Sequence, residues 1–144
     1  ERTNLLIRKR NLVKKMLEER VLWAKKFNQL SDLIPNQVWL SNLEIDEEIE
    51  QVMKRFKMPD GTWQEKPVPV PYNVLIYEGG VISFEHREML YLVGDFIASI
   101  KLSEDYFSIF EDIELVNTKR ETDDDTGKEY MTFRIKSRIK EGVL

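Results

Sequence analysis

From Leu6 to Ile34 the apolar residues keep a seven-residue rhythm that stops at Pro35, and that rhythm narrows what the N-terminal third can become. With Leu6 at a heptad a position, the later a positions are Val13, Arg20, Phe27 and Ile34, and the d positions are Lys9, Met16, Trp23 and Leu30. Seven of these nine are apolar, the pattern of an amphipathic helix suited to a coiled coil. Leu12, Leu17 and Ala24 widen the stripe, while Lys14, Lys15, Glu18, Glu19, Lys25 and Lys26 mostly fall on the other side as a solvated face. The residue before a proline is pushed out of the α region, so the helix ends ahead of Pro35. A helix of about 30 residues is about 45 Å long, more than one small sheet covers. The second half, from about Trp23 to Ile34, is expected to pack on a sheet, and the first half to meet another helix. The candidate partner-binding residues are therefore Leu6, Val13, Met16, Arg20, Trp23 and Phe27.

Beyond Pro35 the pattern changes to strands. Val38 to Asp46 is rich in strand formers and reads as a first strand with Trp39, Leu43 and Ile45 on one face and Ser41 as a polar interruption. Residues 47–71 read as an insertion: acidic at the start, with a turn signal at Pro59-Asp60-Gly61 and a polyproline-like Lys66-Pro-Val-Pro-Val-Pro71 tail. Its middle, Glu50 to Phe56, fits either a short helix or one arm of a hairpin. Asn73 to Tyr77 and Val81 to Phe84 read as one strand with a bulge at Gly79-Gly80. Ser83 is then expected to cap a helix with Glu85 in its first turn, in which Met89, Val93, Phe96, Ile97 and Ile100 share a face and Asp95 and Lys101 point out. A last hairpin joins Asp112–Lys119 to Tyr130–Ile139 through Asp123–Gly127, with Met131, Phe133, Ile135 and Ile139 inward and Thr132, Arg134, Lys136 and Arg138 outward. The organisation is a helix over residues 1–34 followed by a domain over 35–144. The order α, β, β, α, β, β implies an α+β fold, an antiparallel sheet covered by two helices in the permuted ferredoxin-like arrangement.

Few residues of this chain are arranged for chemistry. The chain has no cysteine, which excludes disulfides and thiolate metal sites. Its net charge of −4 argues against a general nucleic-acid binder, although Arg8, Lys9, Arg10, Lys14 and Lys15 form a local basic stretch, balanced by Glu18 and Glu19. The single histidine, His86, has Glu85 and Glu88 beside it on different sides of a helix, so the three do not converge on a metal. Asp125-Thr126-Gly127 matches the tripeptide of aspartic proteases, but it sits in a charged turn without the apolar surroundings such carboxylates need. The same acidic run lacks the glycine and glutamate spacing of a calcium loop. Gly79-Gly80 has neither a phosphate-loop lysine nor the spacing of a dinucleotide fingerprint, and the sheet face with Arg134, Lys136 and Arg138 lacks the paired aromatics of an RNA-binding sheet. No catalytic residue, cofactor site or metal site is read, and the expectation is a non-enzymatic interaction module. A ligand-sensing ferredoxin-like domain is the alternative, with Gly79-Gly80 the one candidate glycine loop for it.

Two segments carry a family resemblance: Leu33-Ile-Pro-Asn-Gln-Val-Trp-Leu-Ser-Asn-Leu43, and Tyr106-Phe-Ser-Ile-Phe-Glu-Asp-Ile-Glu-Leu-Val116 followed by Met131-Thr-Phe-Arg-Ile-Lys136. In order and spacing they resemble the fimbrial-assembly (PilN) proteins of type IV pilus machines, over about residues 20–46 and 73–140. The resemblance implies a structural component without turnover, anchored in the inner membrane by a segment upstream of Glu1, with this part on the periplasmic side. It implies a homodimer, or a heterodimer with a similarly built PilO-like protein, and contact with a PilM-like protein only through a cytoplasmic tail not contained in this sequence. No nucleic-acid partner is implied. The basic stretch near the expected membrane and the long connection at 47–71 depart from the family's usual pattern, and a type II secretion relative of similar build is the near alternative.

Overall fold

The computed structural model describes residues 22–83 and 88–143. Helix α1 is described over residues 22–33. It is followed by strands β1 (Val38–Lys57) and β2 (Trp63–Val81), helix α2 (Met89–Leu102), the single-turn helix α3 (Glu104–Phe107), and strands β3 (Phe110–Thr122) and β4 (Glu129–Ile139). The four strands form one antiparallel sheet in the order β1-β2-β4-β3. That is the permuted ferredoxin-like topology, and α1 and α2 both pack on the same face. The core lies between them: Leu30 from α1, Leu92, Val93, Phe96 and Ile100 from α2, and Leu75, Tyr77, Phe133 and Ile135 from the central strands.

Local chemistry explains most of the element boundaries. β4 alternates strictly, with Met131, Phe133, Ile135, Ser137 and Ile139 buried against the helices. Ser137 is the one polar member of that row. Its hydroxyl donates to Tyr77 Oη at 3.2 Å, and Tyr77 Oη is hydrogen-bonded in turn to Tyr106 Oη. Burial pushes the Tyr77 phenol up to about 12 and raises that of Tyr106 as well. A buried hydroxyl without a partner is costly, and this chain of three answers the requirement by tying β2, β4 and α3 together.

β1 carries a bulge between Leu40 and Asn42, at Ser41. The extra residue changes which parity faces the helices: Val38 and Leu40 before it, Leu43 after it. Trp39 therefore lies on the opposite face from Leu43, which corrects the single-face reading of this segment. Its indole covers Gly80, where an added Cβ would stand 2.2 Å from the ring, and at Gly79 a Cβ would stand 2.0 Å from the Trp39 carbonyl oxygen. The glycine pair thus serves close approach of β1 within a continuous β2, while the bulge itself is on β1.

Three further expectations change. β1 does not end at Asp46: residues 47–57 and 63–73 form a two-stranded ribbon, so Glu50 to Phe56 is the hairpin arm of the two readings, and the alternate prolines lie in its second strand rather than in a polyproline tail. α2 begins at Met89 with Glu88 at its N-cap and no side-chain cap. Ser83 does not cap it, and Ser83 Oγ is buried without a hydrogen-bond partner among the described residues. His86 and Glu85 lie outside the described residues.

Gly79→Ala is expected to cost about 3 kcal/mol, because backbone must move, and Gly80→Ala about 1 kcal/mol, because the Trp39 ring can turn aside. Denaturant unfolding of the two variants checks the order. Excising residues 53–67 and joining Val52 to Val68 through Asn-Gly is expected to move the thermal midpoint by no more than about 4 °C, since the excised residues pair only with one another.

Candidate interaction surfaces

The described part of α1 meets the domain through Trp23, Leu30 and Leu33, which pack on the core together with Ile34 just after the helix. Phe27 is 37% exposed, and its ring lies 5.6 Å from that of Trp23. Leu6, Val13, Met16 and Arg20 lie outside the described residues. Lys26, expected on the solvated face, is instead buried at 5% exposure. Its ammonium donates to the carbonyl oxygens of Asp105 and Tyr106 and to Ser108 Oγ, at the C-terminal end of α3. Carbonyls at a helix C-terminus lack intrahelical donors and carry partial negative charge, which suits a cation. Burial lowers the Lys26 pKa, Lys25 adds to the lowering and Asp105 opposes it.

On the sheet face away from the helices, the outward cations of β4 are each met by a carboxylate. Arg134 pairs with Glu78 at 3.2 Å, Lys136 with Glu48 at 2.8 Å, and Arg138 with Glu50 at 2.8 Å and Glu111 at 3.2 Å. Arg138 also stacks 4.1 Å above the Tyr72 ring, and the Tyr72 hydroxyl donates to Glu48. Val74 and Ile76 are fully buried on this face beneath no helix, where the aliphatic stems of Lys136 and Arg138 supply cover. The cation row is therefore a neutralised lid over apolar residues rather than a free basic surface. At the far end of the same face, Trp39 and Tyr130, with ring centres 6.0 Å apart, border a cleft of about 720 Å³ also lined by Asp123, Asp124 and Asp125.

The third surface is the ribbon. β1 and β2 are 20 and 19 residues long, whereas about 5–6 is usual. β4 stops pairing with β2 at Val74, so everything beyond Asn73 is two-stranded. Pro67, Pro69 and Pro71 share one parity of β2. Leu75 and Tyr77 have the same parity and turn their backbone groups toward β4, so the prolines place their missing donors on the edge that β4 has left. The ladder to β1 runs through Lys66, Val68, Val70 and Tyr72 and stays whole. The signal is present in the sequence as X-Pro alternation at strand period, but alternate prolines equally describe an extended polyproline segment. On the same side of the ribbon Ile49, Met53 and Trp63 are exposed at 66%, 58% and 58%, and Arg55 lies 5.6 Å above the Trp63 ring. Single exposed apolar residues are ordinary, whereas a row of them marks a contact surface.

No family model matches the chain, and no curated protein matches it. Among solved structures, a chain from the tail of an empty GTA particle, determined by helical refinement with C6 symmetry, is similar at 11% identity and a TM-score of 0.27, over 72% of this chain and 80% of that one. A TM-score so low carries no weight for fold or function. Among the described residues no helix is long and apolar enough to cross a membrane.

Hydrogen bonds from Lys136 and then Tyr72 hold the Glu48 carboxyl below its ordinary value of 4.5, against the opposing effect of burial. A depressed carboxylate contributes stability that is present above the unfolded value and is lost as pH falls through the folded one. Glu48→Gln is expected to cost about 1 kcal/mol at neutral pH. The gap to the parent should close below the ordinary glutamate value, as read by urea unfolding across an acid series.

Proposed function

We propose that this chain is a non-catalytic structural component of a type IV pilus assembly machine, which works by pairing its N-terminal helix and its ferredoxin-like domain with partner proteins. Support comes from the agreement between the fold implied by the PilN resemblance and the α+β topology found here, with α1 entering β1 through Pro35 and Val38-Trp39-Leu40. The observation that carries the reading is the Trp23–Phe27 pair. Leu30 is buried at 1% while Phe27, one heptad before Ile34, is 37% exposed, so the domain does not absorb the whole apolar stripe and part of it is available to a second helix. In this reading the domain stands on the periplasmic side of the inner membrane, and the partner is a PilO-like protein or a second copy. A type II secretion relative would use the same helix in the same way.

The test is binding of the full chain to a PilO-like partner and to itself, by sedimentation and calorimetry. Phe27→Glu and Met16→Glu are each expected to raise the Kd at least about tenfold, the cost of roughly 1.4 kcal/mol, with the fold retained by circular dichroism. Unchanged affinity in both variants, or no association in the parent, would remove this reading.

A further inference from the structure

β1 is the outer strand of the sheet along its whole length, and among the described residues no strand pairs with its free side. The even residues of β1 pair with the non-proline residues of β2 that carry the ladder, so its odd residues, Leu43 through Lys57, turn their N–H and C=O groups to the free side. Such an edge invites another strand. The bulge at Ser41 closes the pairable stretch at one end and the turn at Gly61, with φ 88°, closes it at the other. Gln51 lies midway between them.

We propose that two copies of this chain associate through antiparallel pairing of their β1 edges about a two-fold axis at Gln51. The charges of the strand are arranged for it: Glu47 and Glu48 lie on the body side of Gln51, and Lys54 and Arg55 on the tip side. About that axis Glu47 faces Arg55 of the other copy and Glu48 faces Lys54, each pair occurring twice, while Ile49 faces Met53 on the exposed apolar side. A shift by one residue in each copy toward the body sets Glu50 on Glu50, like on like. The assembly also limits itself. Pairing gives the strand order β2-β1-β1-β2, and both outer edges of that four-stranded arm are the proline edges, which lack donors at positions 67, 69 and 71 and so pair poorly with a third copy. This pairing depends on the ribbon alone and does not require a pilus role.

The chain contains no cysteine, so single cysteines report the contact without background. Gln51→Cys is expected to form an intermolecular disulfide readily, because residues at the two-fold axis have Cα atoms about 5.5 Å apart, within disulfide reach. Glu50→Cys, offset from the axis, and Lys119→Cys on the opposite edge of the sheet are expected to cross-link far more slowly. Met16→Glu, which acts on helix pairing, should leave the Gln51→Cys cross-link intact. Gln51→Pro removes an edge donor while sparing the ladder to β2, and should abolish association through the arm with the thermal midpoint of the monomer kept. Glu47→Arg should weaken association about tenfold, and the double variant Glu47→Arg, Arg55→Glu should restore it. A parent whose arm-dependent association is absent at all concentrations, a Gln51→Cys chain that cross-links no faster than Lys119→Cys, or a Gln51→Pro chain that associates like the parent would each overturn the proposal, including if the edge proved to bind some other strand.

Discussion

β2 is the strand on which both parts of the molecule hang. From Val74 to Val81 it is bonded on two sides, to β1 and to β4, and Leu75, Ile76 and Tyr77 are buried to 1% or less. Before Val74 the same strand has one neighbour. Nothing in β1 changes at that point, so the boundary between the body and the ribbon is set by where β4 ends and where the alternate prolines of β2 begin. Those prolines leave the ladder to β1 whole and remove donors only from the vacated edge. The ribbon persists as a strand pair without inviting a strand where β4 is missing.

The two faces of the sheet are held by different physics. The inner face is conventional apolar packing against α1 and α2, with one polar inclusion, Ser137, resolved by Tyr77 and Tyr106. The outer face has no helix, yet it buries Val74 and Ile76 beneath a layer of ion-paired long side chains. Half-buried charge pairs of this kind contribute modestly one by one. Here they also connect β1, β2, β3 and β4 across the sheet at the root of the ribbon, through Glu48, Tyr72, Glu111 and Arg138. The root of the projection is thereby braced from the side that no helix reaches.

Much of the body was legible because its elements have clean periods. The alternation from Met131 to Ile139 and the helical spacing from Met89 to Ile100 follow directly from apolar placement. What escaped depended on contacts between distant residues. Ser41 is an unremarkable serine until its strand is paired, and only then does it become the bulge that sends Trp39 to the outer face. Glycines at 79 and 80 signal irregularity in a single sequence, but whose irregularity depends on the neighbour strand. Lys26 looks like a solvated cation in the heptad pattern, because the carbonyls that receive it lie far along the chain at Asp105 and Tyr106. The ribbon was half legible: the turn at Pro59-Asp60-Gly61 allowed Glu50 to Phe56 to be a hairpin arm, but the returning prolines read as a polyproline tail unless their parity is counted.

Lys26 also changes what α1 is to the rest of the domain. An apolar stripe resting on an apolar surface resists separation far more than it resists turning about its axis or sliding along it, since one aliphatic contact exchanges for another at little loss. An ammonium seated on two carbonyls and a hydroxyl has no such neighbouring position. The helix is keyed, in rotation and in length, to the end of α3. The described part of α1 therefore has its angle to the sheet fixed, and a twist or pull applied to it is delivered to the body as through a splined shaft.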